Sequence, residues 1–339
     1  MGVDKTQNRK KKTALVYGVN FLLTALLFLL FTVLISSGSL SRLQSNLVIL
    51  VCINVLMAVS LNLVTGVLGQ LVLGHAGFML VGAYTAALFT KSSGLPLEVA
   101  LPIGLLLAGL VAAVFSVVIG IPALRLRGDY LAIITLGFGE IIRVVANNLD
   151  FIGGAQGLSG IPSPDKLTLF LYSSVLVILA VFLMFTFGRS RHGRAVISIR
   201  EDEIAAESSG VNTTYYKLMA FVLAAFLAGI AGGLYAHHVG MVDPSKYDFN
   251  RSVEFLIMVV LGGMGSITGS IISATVLTIL PQMLTDFDRY RMLIYSIILI
   301  VVMLFRPTGL LGRYEISVTG LAGKLRDRIK GRSRKKEEV

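Results

Sequence analysis

The sequence predicts an all-α polytopic membrane protein of about ten transmembrane helices, with both termini on the cytoplasmic side. Three observations carry this. Hydrophobic residues make up 55% of the 339 and charged residues 14%, whereas soluble domains carry about 25% charged residues; mean hydropathy is +0.81. Apolar runs close to the length of a bilayer crossing recur along the chain. The net charge is +11, and much of it sits in two tails, at Lys5, Arg9, Lys10, Lys11 and Lys12 and again over 324–336. Basic residues beside spans mark the cytoplasmic side and attract anionic lipid. They do not call for a nucleic-acid partner. Two inner termini require an even number of crossings.

The organisation that follows is a basic cytoplasmic stretch at 1–13, a transmembrane domain at 14–305 with a large cytoplasmic loop at 188–217, and a basic cytoplasmic tail at 306–339. The first span, 14–36, has no clear small-residue cleavage site, so it reads as a retained anchor rather than a removed signal. Spans at 46–65, 70–90, 97–124, 130–149, 168–187 and 216–238 follow. Arg125 and Arg127 mark an inner loop, and the glycine- and proline-rich 150–166 an outer one. Three short crossings at 251–265, 266–284 and 290–305 complete ten; eight spans plus a re-entrant pair satisfy the charge rule equally. Cys52 lies in an apolar run, reads as a small packing residue, and leaves no disulfide framework.

Two places look alike. Closely spaced glycines interrupt an apolar run at 66–74, with Gly69, Gln70, Gly74 and His75, and again at 262–269, with Gly262, Gly263 and Gly265. Corresponding breaks in two halves point to an inverted repeat around a central pathway, while glycines also permit close helix packing. His75 reads as a hydrogen-bonded packing residue rather than a ligand. Glu140 and Arg143 are three apart and share a helix face. Charges at membrane depth face a bundle interior or a wet cavity, so the pair either locks its helix to its neighbours, the preferred reading, or lines a path for a zwitterion. Asn54 and Asn62 share a face and read as interhelical glue.

Catalytic chemistry finds no support. No phosphate-cradling Gly-x-x-x-x-Gly-Lys-Ser/Thr loop is present. Four histidines form no metal set; His237 and His238 are adjacent and point different ways on a helix. The chain therefore reads as a non-enzyme that needs no cofactor. The polar island at 188–217 is the most informative stretch. Within it Glu201, Asp202, Glu203, Ile204, Ala205, Ala206, Glu207 and Gly210 read as one short helix, with acids where the helix dipole favours them and a glycine stop. A helix so short is marginal alone and suits a groove on a soluble partner.

Several stretches together resemble one family, the LivM-type permease subunits of ATP-binding-cassette importers for branched-chain amino acids. They are GQLVLGHAGF at 69–78, RLRGDYLAI at 125–133, TLGFGEIIR at 135–143, GGAQGL at 153–158, REDEIAAE at 200–207, LGGMGS at 261–266 and FRPTGL at 305–310. The likeness runs from about residue 46 to 312. It implies an inverted-repeat importer permease of the cell (plasma or inner) membrane. The implied partners are a second permease subunit in a heterodimer, two ATPase subunits beneath, an extracytoplasmic solute-binding protein, and a branched-chain amino acid as cargo. It also implies that Arg200 to Glu207 and Gly210 form the segment coupling to an ATPase. Related permeases for urea, short amides or simple sugars, and a stand-alone ion-coupled transporter using Glu140, are the other expectations.

Overall fold

Ser41 starts the first described long helix. Its hydroxyl accepts from the Gln44 amide at 3.2 Å while the Gln44 side chain accepts from the Ser41 amide at 2.9 Å, a reciprocal cap that satisfies two otherwise orphaned donors. The structure is a computed structural model. It describes residues 32–35, 37, 41–126, 128–283 and, beyond these, 293, 296, 297, 300, 301, 304–306, 309, 310 and 312. The expected spans at 14–36 and 290–305 thus lie largely outside the described residues. The chain divides into a unit of Ser41–Arg313 and one of Met1–Leu40 with Tyr314–Val339; in the second, residues 32–35 form a helical turn.

In the large unit, α1 is Arg42–Asn62, α2 His75–Ser92, α3 Leu97–Ala123, α4 Asp129–Asn148, α5 Lys166–Arg189, α6 Arg191–Glu201, α7 Glu203–Ser208, α8 Thr213–Val239, α9 Phe249–Gly262 and α10 Ile267–Met283. Eight of the ten expected spans therefore correspond to α1–α5 and α8–α10. Helix α1 begins four residues before the expected 46, because Ser41 caps it. Arg42–Val67, Leu97–Ala123, Lys166–Arg189 and Thr213–Val239 are each long and apolar enough to cross a membrane, and Ile267–Met283 is a shorter apolar helix.

Small residues set the packing. Helices α2, α3 and α8 pack on one another, and a Cβ built on Gly82 would strike the Gly229 backbone, one on Gly229 the Ala108 carbonyl at 2.5 Å, and one on Gly232 the Met79 carbonyl. Backbones approach this closely only where side chains are absent, the usual solution in an apolar solvent that gives helices no hydrophobic reason to associate. Outside, Leu106, Leu110, Val114 and Val118 of α3 form an exposed apolar row at i,i+4 spacing. Between α3, α5 and α8 runs an apolar groove of about 1010 Å³, with Phe182, Phe187 and Phe226 on its walls.

The two ends of the bundle differ. At one, the segments after α4 and before α9 meet as a two-residue antiparallel ladder, β1 Leu158–Ser159 on β2 Met241–Val242. The glycine- and proline-rich 150–166 loop is thus organised by two 3-10 turns, at Asp150–Ile152 and Gly154–Gln156, and this ladder. At the other end, 27 residues of α8 away, lie α6 and α7.

Candidate functional site

The first glycine break is a change of helix type. Leu63–Val67 forms a π-helical turn after α1, a geometry that recurs at functional positions. The chain then runs unwound from Leu68 to α2. The Leu73 amide donates to Thr135 Oγ1 of α4 at 3.2 Å, and a Cβ on Gly74 would strike the Thr135 carbonyl. His75, at the start of α2, is buried and shares a 2.8 Å hydrogen bond with Ser60 Oγ, in keeping with the packing role expected of it. The Gln70 Oε1 is buried without a hydrogen-bond partner.

The second break separates α9 from α10. Gly262 crosses Gly269 closely enough that a Cβ on it would sit 2.5 Å from the Gly269 carbonyl oxygen. Gly263 lies against the backbone of Gly312 and Gly309, and the Leu310 amide donates to the Leu261 carbonyl at 2.7 Å. Gly265, at φ +93°, adopts a backbone that side chains make costly.

The structure brings the two breaks together. Asn62 Oδ1 accepts from the Gly265 amide at 2.8 Å, and its Nδ2 donates to the Ser266 carbonyl at 3.0 Å. A single buried amide thus stitches residues some two hundred apart, an interhelical role that the sequence suggests. A Cβ on Gly66 would strike the Gly265 amide nitrogen.

Arg200 joins this pair to α6 and α7. One guanidinium nitrogen donates to the Gly66 carbonyl at 2.9 Å, in the first break, and lies 3.5 Å from where a Cβ of Gly265 would be, in the second. The Arg200 stem fills the space beside Gly69. Glu201 Oε1 accepts from the same guanidinium at 2.6 and 3.2 Å and orients it.

The single helix expected over 201–210 is two elements. Asp202, at φ −157° and ψ 110°, breaks the chain. Its Oδ1 accepts from the Ile204 and Ala205 amides at 2.9 and 3.0 Å, so it caps α7 instead of joining its first turn. Glu203 pairs with the buried Lys217 of α8 at 2.7 Å, fastening α7 to a long helix. Gly210, at φ +84°, closes α7: its amide donates to Glu207 and the Val211 amide to Ala206, the double closure that glycine permits. Ile204, Ala205 and Glu207 are exposed, whereas Ala206 is buried. Ala206 thus turns toward its own chain. Helix α6 was not expected; the signals were Ser190 as its cap, accepting from the Gly193 amide at 3.0 Å, and the apolar Val196 and Ile199 three apart, both buried.

Glu140 and Arg143 form a 2.7 Å ion pair on α4, with side chains 33% and 28% exposed. The pair lets each charge compensate the other within one helix. A second such pair, Arg251–Glu254 at 2.7 Å on α9, was missed although its i,i+3 spacing is legible. Nearby, burial pushes the Tyr247 phenol well above its usual range, with Tyr235, Tyr84 and Asp243 adding and Arg251 opposing. Among the described residues no cluster of metal-ligating side chains occurs.

Spanning helices broken at two clasped points and fastened to an exposed helical pair define a polytopic membrane transport protein. The family described as "Branched-chain amino acid transport system / permease component" matches residues 43–303, and the chain belongs to that family, a family of transport permeases. It is a multi-pass protein of the cell membrane. It is 39% identical over 269 residues to the high-affinity branched-chain amino acid transport system permease protein LivM of Escherichia coli, covering 70% of this chain and 62% of that protein. The Salmonella typhimurium LivM matches at the same identity and coverage. The chain thus spans less than two thirds of these relatives' length. The permease protein LivH of the E. coli system is 33% identical over 145 residues, covering 42% of this chain and 47% of that protein.

Proposed function

We propose that this chain forms half of the translocation pathway of an ATP-driven importer for branched-chain, apolar amino acids, in the cell membrane. It pairs with a second, related permease subunit; its likeness to both LivM and LivH supports a pathway built from two homologous chains. Two ATPase subunits seat on the α6–α7 end, and an extracytoplasmic solute-binding protein seats on the end bearing β1–β2. The chain crosses ten times with both termini inside, its two glycine breaks occupy matching places in an inverted repeat, and it carries out no catalysis itself.

The observation that carries this reading is the Arg200 bridge. An importer must convert closure of its ATPases into a change of access at membrane depth, and the two states need to differ in contacts that the ATPase can bias. Arg200 reaches from the exposed helical pair directly onto Gly66 and alongside Gly265. Displacing the helical pair therefore pulls on the first break directly and shifts a side chain lying beside the second.

The test is reconstitution. The chain with its partner permease, ATPases and binding protein should import leucine into proteoliposomes only with ATP and the binding protein. Arg200→Ala should leave the complex assembled and hydrolysing ATP while lowering uptake roughly tenfold or more, on the scale of a charge-assisted hydrogen bond. Uptake by the chain alone, or full uptake by the Arg200 variant, would overturn the reading.

A further inference from the structure

The ion pairs of α4 and α9 share a feature that neither shows alone. The ladder of Leu158 with Val242 ties the segment following α4 to the one preceding α9, and α4 packs against the turn at Pro244–Tyr247 and touches α9 itself. The C-terminal end of α4 and the N-terminal end of α9 therefore lie at the same end of the bundle. Arg143 is five residues from the last residue of α4 and Arg251 two residues from the first of α9, about 7 and 3 Å along the axes. In each helix the glutamate sits about 4.5 Å deeper. The sequence order is opposite, Glu-x-x-Arg on α4 and Arg-x-x-Glu on α9, and antiparallel helices turn this into the same direction in space: arginine toward the ladder, glutamate beneath it.

A mere lock would not require that polarity, and on α9 the helix opposes it. A cation in the first turn meets the positive end of the dipole, and acid before base is the better order along a helix. Arg251 is held there by other means. Its guanidinium donates to Asn54 Oδ1 at 3.3 Å and lies over the rings of Phe255 at 4.8 Å and Tyr235 at 5.7 Å. Both pairs remain partly open, with Arg251 at 21% and Glu254 at 46% exposure. Charges in spanning helices face a bundle interior or a wet cavity, and these stay partly accessible. The hydroxyls of Tyr84 and Tyr247 are buried with no hydrogen-bond partner, and both tyrosines lie within electrostatic reach of one another, with Arg251 within reach of Tyr247. Orphaned donors beside a guanidinium are what an incoming carboxylate would satisfy.

We propose that the two pairs are successive stations of one path that reads the zwitterion of an α-amino acid, with Arg251 and Arg143 taking the carboxylate and Glu254 and Glu140 the ammonium. The cargo's own charges exchange with each pair in turn, so no station is left with an uncompensated charge as the cargo passes. The proposal rests on the amino acid importer reading above and supplies the residues that would touch the cargo.

The test is charge exchange in the complete reconstituted complex, with L-leucine as probe. Arg251→Glu with Glu254→Arg, and separately Glu140→Arg with Arg143→Glu, keep each ion pair but reverse its direction. Binding-protein-stimulated ATP hydrolysis should persist while leucine uptake falls at least tenfold. The neutral pairs Arg251→Gln with Glu254→Gln and Glu140→Gln with Arg143→Gln should behave likewise, and they decide the matter if an exchanged variant fails to insert. Wild-type uptake by the exchanged or the neutral variants would overturn the proposal and leave the importer reading standing. Joint loss of uptake and hydrolysis by the neutral variants would assign the pairs a structural role and also overturn it. A wild-type complex that hydrolyses ATP but imports no amino acid would remove the importer reading and the proposal with it.

Discussion

At the residue scale, Asn62 holds more than its size suggests. It is buried and joins the π-helical turn to the second break through two hydrogen bonds. Asn62→Ala should cost about 2–4 kcal/mol, the sum of two lost bonds and a buried donor left unmade, measured as a lower unfolding temperature in detergent. Asn62→Asp should recover only part, since it keeps the acceptor for Gly265 and loses the donor for Ser266. The sequence makes Asn62 readable as glue because an amide in an apolar helix needs a partner. It does not say which partner. Spacing relates residues on one helix, so the Glu140–Arg143 pair is legible. The reach of Arg200 to Gly66 is not, because it spans 134 residues and depends on how α6 is laid against the bundle.

At the element scale, α7 shows why helix ends are hard to place from composition. Three acids in a row read as a first turn, but Asp202 gains more by capping, since its short carboxylate can accept two amides only from outside the helix. The outcome turns Ile204, 68% exposed, outward and Ala206 inward, so neighbouring substitutions should have different effects. If ATPase subunits seat on α7 as proposed, Ile204→Asp should leave the fold intact and weaken their co-purification. Ala206→Trp should unseat α7 from its own chain, seen as faster proteolysis of the 200–212 segment even without partners. Equal proteolysis of the two variants would count against this division. The positions of the described long helices were legible from apolar length, and the two glycine breaks as interruptions between them. The β1–β2 ladder was not, because two-residue strands leave no alternation to read.

At the scale of the whole molecule, the bundle is organised around α2, α3 and α8, whose glycines and alanines let backbones touch. Overpacking such a contact is costly because the obstacle is backbone and cannot rotate aside. Gly232→Val should lower stability by about 3 kcal/mol or prevent accumulation, whereas Gly137→Val, with nothing within 4 Å of its built Cβ, should be tolerated. Comparing the two in the membrane fraction tests whether close approach, rather than glycine content, governs assembly.

Helix α8 runs 27 residues without a proline or a change of helix type, and so spans about 40 Å. Its first turns are bolted to α7 through Lys217, and its far end leads straight into β2. In the importer proposed above, a continuous rod with fixtures at both tips shortens the delay between faces: torque applied beneath arrives on the opposite side without a break in the helix to absorb it. An inserted proline near its middle would act as a clutch, letting fuel be burned beneath while the upper gate idles.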